Sequence, residues 1–153
     1  MDWRTIIGQA SLKKQLTELV KQNRLSHALL LVGKEGAGAL PLANAFAQYL
    51  VCEQAISSSL DEPCGQCSGC KKSMELVHPD IHFSYPTVTR KPGEKPVATD
   101  FIREWRDFLS QHSYGNLFDW IELIKEKDNS QGKITAEECN DIIRKLSLKS
   151  FES

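Results

Sequence analysis

Apolar residues fall into short periodic groups separated by polar breaks, and the spacing within each group predicts its element. Leu12, Leu16, Leu19 and Val20 recur at i, i+4, i+7 and i+8 behind Ser11, with Lys13, Lys14 and Gln15 among them, which predicts an amphipathic helix capped by Ser11. Ala28-Leu29-Leu30-Leu31-Val32 is a continuous apolar run closed by Gly33, the pattern of a strand buried on both faces of a parallel sheet. A glycine-bearing turn follows. Pro41 suits the first turn of a helix, and Leu42, Ala45, Phe46, Tyr49 and Leu50 continue at helical spacing. Strand, glycine loop and helix in that order predict an α/β fold.

Beyond Leu50 the texture changes. From Ser57 to Lys72 the chain is rich in Ser, Gly, Pro and Cys, a poor core but a plausible metal-folded excursion. Ile81 to Tyr85 reads as a second strand introduced by His78-Pro79-Asp80, and Thr87 to Val97 reads as a solvated basic loop. Ile102, Trp105, Phe108 and Leu109 predict one helix; Leu117, Trp120, Ile121 and Ile124 predict another capped by Asn116. A polar break at 128–132 precedes Thr135 and Glu138, which have capping-box spacing. Cys139, Ile142, Ile143 and Leu146 then form a stripe that predicts a core-facing helix, with Cys139 as a small buried hydrophobe. There is no internal repeat.

With 153 residues, 41% hydrophobic and 25% charged, the chain can bury a sizeable core, and one domain is the expectation. Its 19 basic and 20 acidic residues give a net charge of -1, so no global field steers it toward nucleic acid or an anionic membrane. No apolar run approaches the roughly 20 residues of a membrane span, and no signal-peptide core follows Met1-Asp2-Trp3-Arg4. A cytoplasmic location is expected, and in a reducing compartment five cysteines point to a metal site or burial rather than disulfides.

The glycine loop reads Gly33-Lys34-Glu35-Gly36-Ala37-Gly38-Ala39-Leu40. A working phosphate-binding loop, G-x-x-x-x-G-K-[ST], wraps phosphates in backbone N–H groups, neutralises them with lysine and ligates magnesium with a hydroxyl. Ala39 and Leu40 stand where the lysine and hydroxyl belong and can do neither job. Glu35 further opposes a polyphosphate, and Lys34, at the start of the loop, lacks the geometry of a substitute. No catalytic residue is therefore assigned, and neither ATP binding nor ATPase activity is expected. Backbone groups at Gly36 and Gly38 leave residual anion binding open. The plain alternative is an ordinary glycine-rich turn between strand and helix.

Cys52, Cys64, Cys67 and Cys70 form C-x11-C-x2-C-x2-C. Four thiolates complete a tetrahedral zinc site with no open position, which makes the expected metal structural. An iron–sulfur cluster and unliganded thiols remain the alternatives. His78 and His82 are possible replacement ligands, although four cysteines already suffice.

Taken together, Ile6-Ile7-Gly8-Gln9, the Arg24-to-Leu31 entry containing Arg24-Leu25-Ser26-His27-Ala28, the loop and the cysteine module resemble the AAA+ subunits of the bacterial DNA polymerase III clamp loader. Ile134 to Phe151 resembles the segment preceding that family's Walker B strand. The resemblance implies an incomplete AAA+ P-loop-type core, a parallel sheet flanked by helices, across 1–153. Within it would lie a zinc module at 52–70 and a helical insertion at about 87–132. Walker B, the sensors, the arginine finger, the lid and the collar domain would lie beyond Ser153, as in an N-terminal fragment. The upstream cysteine gap is longer than usual in the family, implying a small extension between Ile56 and Pro63.

Two subunit types of the family carry the zinc module, one hydrolysing ATP and one with a degenerate loop. Ala39 and Leu40 favour the second, a stator-like subunit without catalysis. Its implied partners are the delta and tau/gamma subunits, with the sliding clamp and primed DNA reached through the complex. The competing readings are a divergent tau/gamma-type ATPase and a stand-alone zinc-dependent nucleic-acid-binding module. Arg90, Lys91 and Lys95 are the candidates for phosphate contact, but no aromatic stacking platform accompanies them in the sequence. For the insertion, packing cover for the core is weighed against a partner surface.

Overall fold

A computed structural model describes residues 2–126 and 131–147. Its helices are α1 (Ala10–Lys21), α2 (Ala39–Leu50), α3 (Glu53–Ser58), α4 (Ser68–Met74), α5 (Ile102–Gln111), α6 (Leu117–Ile124) and α7 (Ala136–Leu146). Short 3-10 turns at Trp3–Thr5 and Ala98–Phe101 complete the helical structure among the described residues. The chain divides into two compact units, one ending at Ile81 and the other beginning at His82.

In the first unit α2 is the central element. Its Leu42, Ala45, Phe46 and Tyr49 are buried, and Trp3 packs on Tyr49 with ring centroids 5.7 Å apart. The Asp2 side chain caps the Trp3–Thr5 turn by accepting the Arg4 N–H. Helix α1 begins earlier than its Ser11 cap predicts. Gly8 (φ +66°) and Gln9 (φ +59°) turn the chain through left-handed geometry, so Gln9 occupies the cap position and Ser11 lies inside the helix. Leu16 is buried, with Leu12 and Val20 packed partly against the same core.

The predicted strand at 28–32 is not formed, and this corrects the α/β expectation. Among the described residues no segment pairs with it, and Leu30 and Val32 are 87% and 84% exposed. A strand buried on two faces needs hydrogen-bonded neighbours on both edges. The apolar run encodes that need but does not supply the neighbours. Ile81 to Tyr85 forms no strand either, and Pro79-Asp80 makes a turn. The one bridge among the described residues is antiparallel, between Thr87 and Lys133.

The second unit is built on aromatic rings. Tyr85 stacks on Trp105 (4.1 Å), and Trp120 meets Trp105 edge-on (4.9 Å) with Phe108 5.5 Å away. Trp105, Phe108 and Leu109 of α5 and Trp120 and Ile124 of α6 are buried as their spacing predicts, whereas Leu117 is exposed. Asn116 caps α6 reciprocally with Asp119. Part of the predicted 128–132 break lies outside the described residues, as do Leu148 to Phe151.

Helix α7 presents the opposite face to that expected. Cys139 is exposed, as are Ile143 (67%) and Leu146 (76%), while Glu138 is 2% exposed. Thr135 caps the helix, but the Glu138 carboxylate does not complete a capping box; its Oε2 accepts the Ala98 N–H at 2.6 Å. Thr135 Oγ1 also donates to the Pro96 carbonyl, and Lys95 pairs with Glu137. Polar anchoring of its first turn to 95–98 therefore orients α7. Glu138→Ala leaves the Ala98 N–H buried without its acceptor, and an unfolding free energy lower by about 1–3 kcal/mol is expected in urea titrations followed by tryptophan fluorescence.

The basic loop is also engaged. Arg90 pairs with Glu104 at 2.8 Å, approaches Glu126 at 3.7 Å and lies over the Phe101 ring. The Arg90 guanidinium holds the Glu104 carboxyl below its ordinary range. With Lys95 on Glu137, two of the three candidate phosphate contacts already have carboxylate partners.

Candidate metal centre and glycine loop

The cysteines reach one point because three elements end there. Cys52 follows the Val51 C-cap of α2 and is itself the N-cap of α3, while Cys67 is the N-cap of α4 and Cys70 sits in its first turn. The sulfurs of Cys52, Cys64, Cys67 and Cys70 all lie within 4.8 Å of one another, and Cys64 and Cys70 are 3.9 Å apart. With zinc–sulfur bonds of about 2.3 Å, a tetrahedral ZnS4 site has sulfur–sulfur edges of about 3.8 Å. The cluster therefore has the size of a mononuclear site. A cubane iron–sulfur cluster would hold its cysteine sulfurs farther apart, because irons and sulfides occupy the space between them.

Backbone N–H groups point at the sulfurs. Cys52 Sγ accepts from Ala55 (3.3 Å) and Cys64 (3.2 Å), Cys64 Sγ from Gln66 and Cys67 (both 3.4 Å), and Cys67 Sγ from Cys70 (3.4 Å). Such donors stabilise thiolate, the form a metal requires. The Gln66 N–H, with help from that of Cys67, brings the Cys64 thiol down to about 6. Burial pushes the Cys70 thiol up. Cys52 and Cys70 are fully buried and Cys64 and Cys67 partly so. The long excursion before Cys64 is tied back by the Tyr49 hydroxyl, which donates to the Leu60 carbonyl at 2.8 Å, and by a Lys21–Asp61 pair. Neither His78 nor His82 joins the sulfur group; the buried His78 ring accepts the Asp80 N–H through Nδ1.

At the glycine loop, Gly33 closes the apolar run and Gly38 (φ +88°) caps α2, so Ala39 and Leu40 are the first two helical residues. The Ala37 N–H donates to the Lys34 carbonyl, forming the turn, and Gly36 (φ +75°) allows it. A cleft of about 340 Å³ beside the loop is lined by Gln9, Leu12, Leu31, Val32, Ala39 and Leu42 among others. Lining of this kind offers phosphate neither an ammonium nor a hydroxyl. The Gln9 side chain spans to the loop, its Nε2 donating to the Ala37 carbonyl at 3.2 Å. That bond was not legible in the sequence, since 28 residues separate its partners.

No helix among the described residues is long and apolar enough to cross a membrane. The family described as DNA polymerase III, delta subunit, matches residues 8–153. The chain is 29% identical over 102 residues to the DNA polymerase III subunit delta' of Haemophilus influenzae, covering 67% of this chain and 28% of that protein. It is 36% identical over 78 residues to the delta' subunit of Bacillus subtilis, covering 51% and 22%. Similarity extends to the tau/gamma subunit of Haemophilus influenzae, 36% identical over 132 residues, with 76% of this chain and 18% of that protein covered. The chain thus spans under a third of each of these relatives. No solved structure matches it. With nearly its whole length matched, the chain belongs to the DNA polymerase III delta-subunit family.

Proposed function

We propose that the chain serves as a stator-like delta' subunit of the DNA polymerase III clamp loader, organising the complex that loads the sliding clamp without hydrolysing ATP itself. The observation that carries this reading is Ala39-Leu40 at the start of α2, where an ATPase needs lysine and Ser/Thr. A loop without those two residues fits the degenerate-loop subunit type implied by the resemblance better than the ATP-hydrolysing one. Partners are delta and tau/gamma, with the clamp and primed DNA engaged through the assembly. The stretch 52–70 is a structural zinc module held by Cys52, Cys64, Cys67 and Cys70. When bound, zinc there cross-links α2, α3 and α4 and leaves no position for substrate.

A magnesium–ATP titration of the chain tests the reading. No saturable binding in the micromolar range is expected, and affinity there or tighter returns the chain to the ATPase class. The nucleic-acid-module alternative predicts salt-dependent DNA binding by the chain alone, and a flat titration at low salt removes it.

A further inference from the structure

The two fully buried cysteines are each preceded by a residue at one backbone contact, Val51 before Cys52 and Gly69 before Cys70. A Cβ built on Gly69 would lie 2.0 Å from the Val51 carbonyl oxygen and 3.1 Å from its carbon. Neither is the movable end of a side chain. The Val51 N–H donates to the Ala47 carbonyl and the Cys52 N–H to the Tyr49 carbonyl, closing α2, and Gly69 sits in the first turn of α4. The helices meet at this point because residue 69 has no side chain, and the next residue on each strand of the contact is a sulfur ligand.

Resting on the zinc reading above, we infer that Gly69 is a positioning residue for the metal. Its bare Cα lets α4 close on the end of α2, bringing the Cys70 sulfur into the group that contains Cys52. Local helix preference argues the other way. Alanine is a better helix former than glycine, so an effect confined to α4 would make Gly69→Ala neutral or favourable. The contact instead makes alanine push α4 from Val51 and open the Cys52–Cys70 side of the site. Ser68, the neighbouring exposed residue, has no such constraint and serves as the control.

The 153-residue chain, its Gly69→Ala variant and its Ser68→Ala variant are loaded with zinc and titrated with a chromophoric chelator. Cobalt-substituted samples report ligand geometry through their d–d and thiolate charge-transfer bands. Gly69→Ala is expected to bind zinc about 10–100-fold more weakly, the range for removing a support around a metal ligand, and to show weakened tetrahedral thiolate bands. Ser68→Ala should match wild type. The zinc-free far-UV spectra of wild type and Gly69→Ala should coincide. Loss of helix already in the zinc-free variant overturns the inference, because it assigns Gly69 to general packing rather than to the ligands. A zinc-replete wild type with an equally tight Gly69→Ala overturns the inference alone, whereas a wild type that binds no zinc sinks the metal reading and this inference with it.

Discussion

Cys70→Ser is expected to abolish tight zinc binding and to leave 52–74 without stable structure. A serine hydroxyl replaces a buried sulfur that stands 3.9 Å from Cys64, and the remaining three thiols cannot complete a closed tetrahedral site. The local helices cannot compensate. Helices α3 and α4 have six and seven residues, and isolated helices shorter than about 12–15 residues are marginal in water. Metal binding in small zinc modules contributes on the order of 10–16 kcal/mol of apparent free energy, as much as the whole stability of many domains. Loss of one ligand should therefore be felt beyond the module, since Cys52 and Cys70 belong to the same core as Trp3, Leu42 and Tyr49. Zinc content by elemental analysis, far-UV dichroism and limited proteolysis within 53–68 measure the outcome. Cys139→Ser, at an exposed position outside the sulfur group, should leave all three unchanged. Stoichiometric zinc in Cys70→Ser at wild-type thermal stability would eliminate the four-cysteine assignment.

Different parts of the fold were legible in the sequence for different reasons. Periodicity located α2, α5 and α6 because their stripes face cores supplied nearby, as with Phe46 and Tyr49 or Trp105 and Trp120. Spacing located the sulfur cluster because cysteines three residues apart can converge within a single turn, and Cys52 needed only a helix end to join them. Reading failed where an apolar pattern had to be matched with a partner. Leu30 and Val32 carry the sequence of a buried strand without paired neighbours among the described residues, and Ile143 and Leu146 carry that of a buried helix face yet are exposed. For α7 the deciding contact was polar: Glu138 left its predicted local cap for the Ala98 N–H, forty residues away in sequence. Gln9 behaves alike, reaching the Ala37 carbonyl across the loop. Long-range side-chain-to-backbone bonds leave no periodic trace, so pattern alone places such residues on the wrong side.

Trp120→Ala should have the largest effect in the second unit, lowering its unfolding free energy by about 3–5 kcal/mol. The ring is 1% exposed and lies within 4.9 to 5.5 Å, centroid to centroid, of Trp105, Tyr85 and Phe108, so its removal opens a void bordered by three aromatic side chains. Its Nε1 also donates to the Pro86 carbonyl at 2.7 Å, tying α6 to the segment that carries the Thr87–Lys133 bridge. Trp120→Phe separates these contributions. It keeps an aromatic ring but loses the N–H, and should cost less than the alanine variant by roughly the cavity contribution. Because Trp120 belongs to the unit beginning at His82, whereas the cysteines belong to the unit ending at Ile81, zinc content should survive both substitutions. Denaturant titration read by tryptophan fluorescence, with zinc measured on the same samples, distinguishes a local from a global loss. An alanine variant within about 1 kcal/mol of wild type would contradict a cavity-forming core position. Retained zinc with a collapsed aromatic signal would favour packing over a partner surface as the role of the insertion at about 87–132.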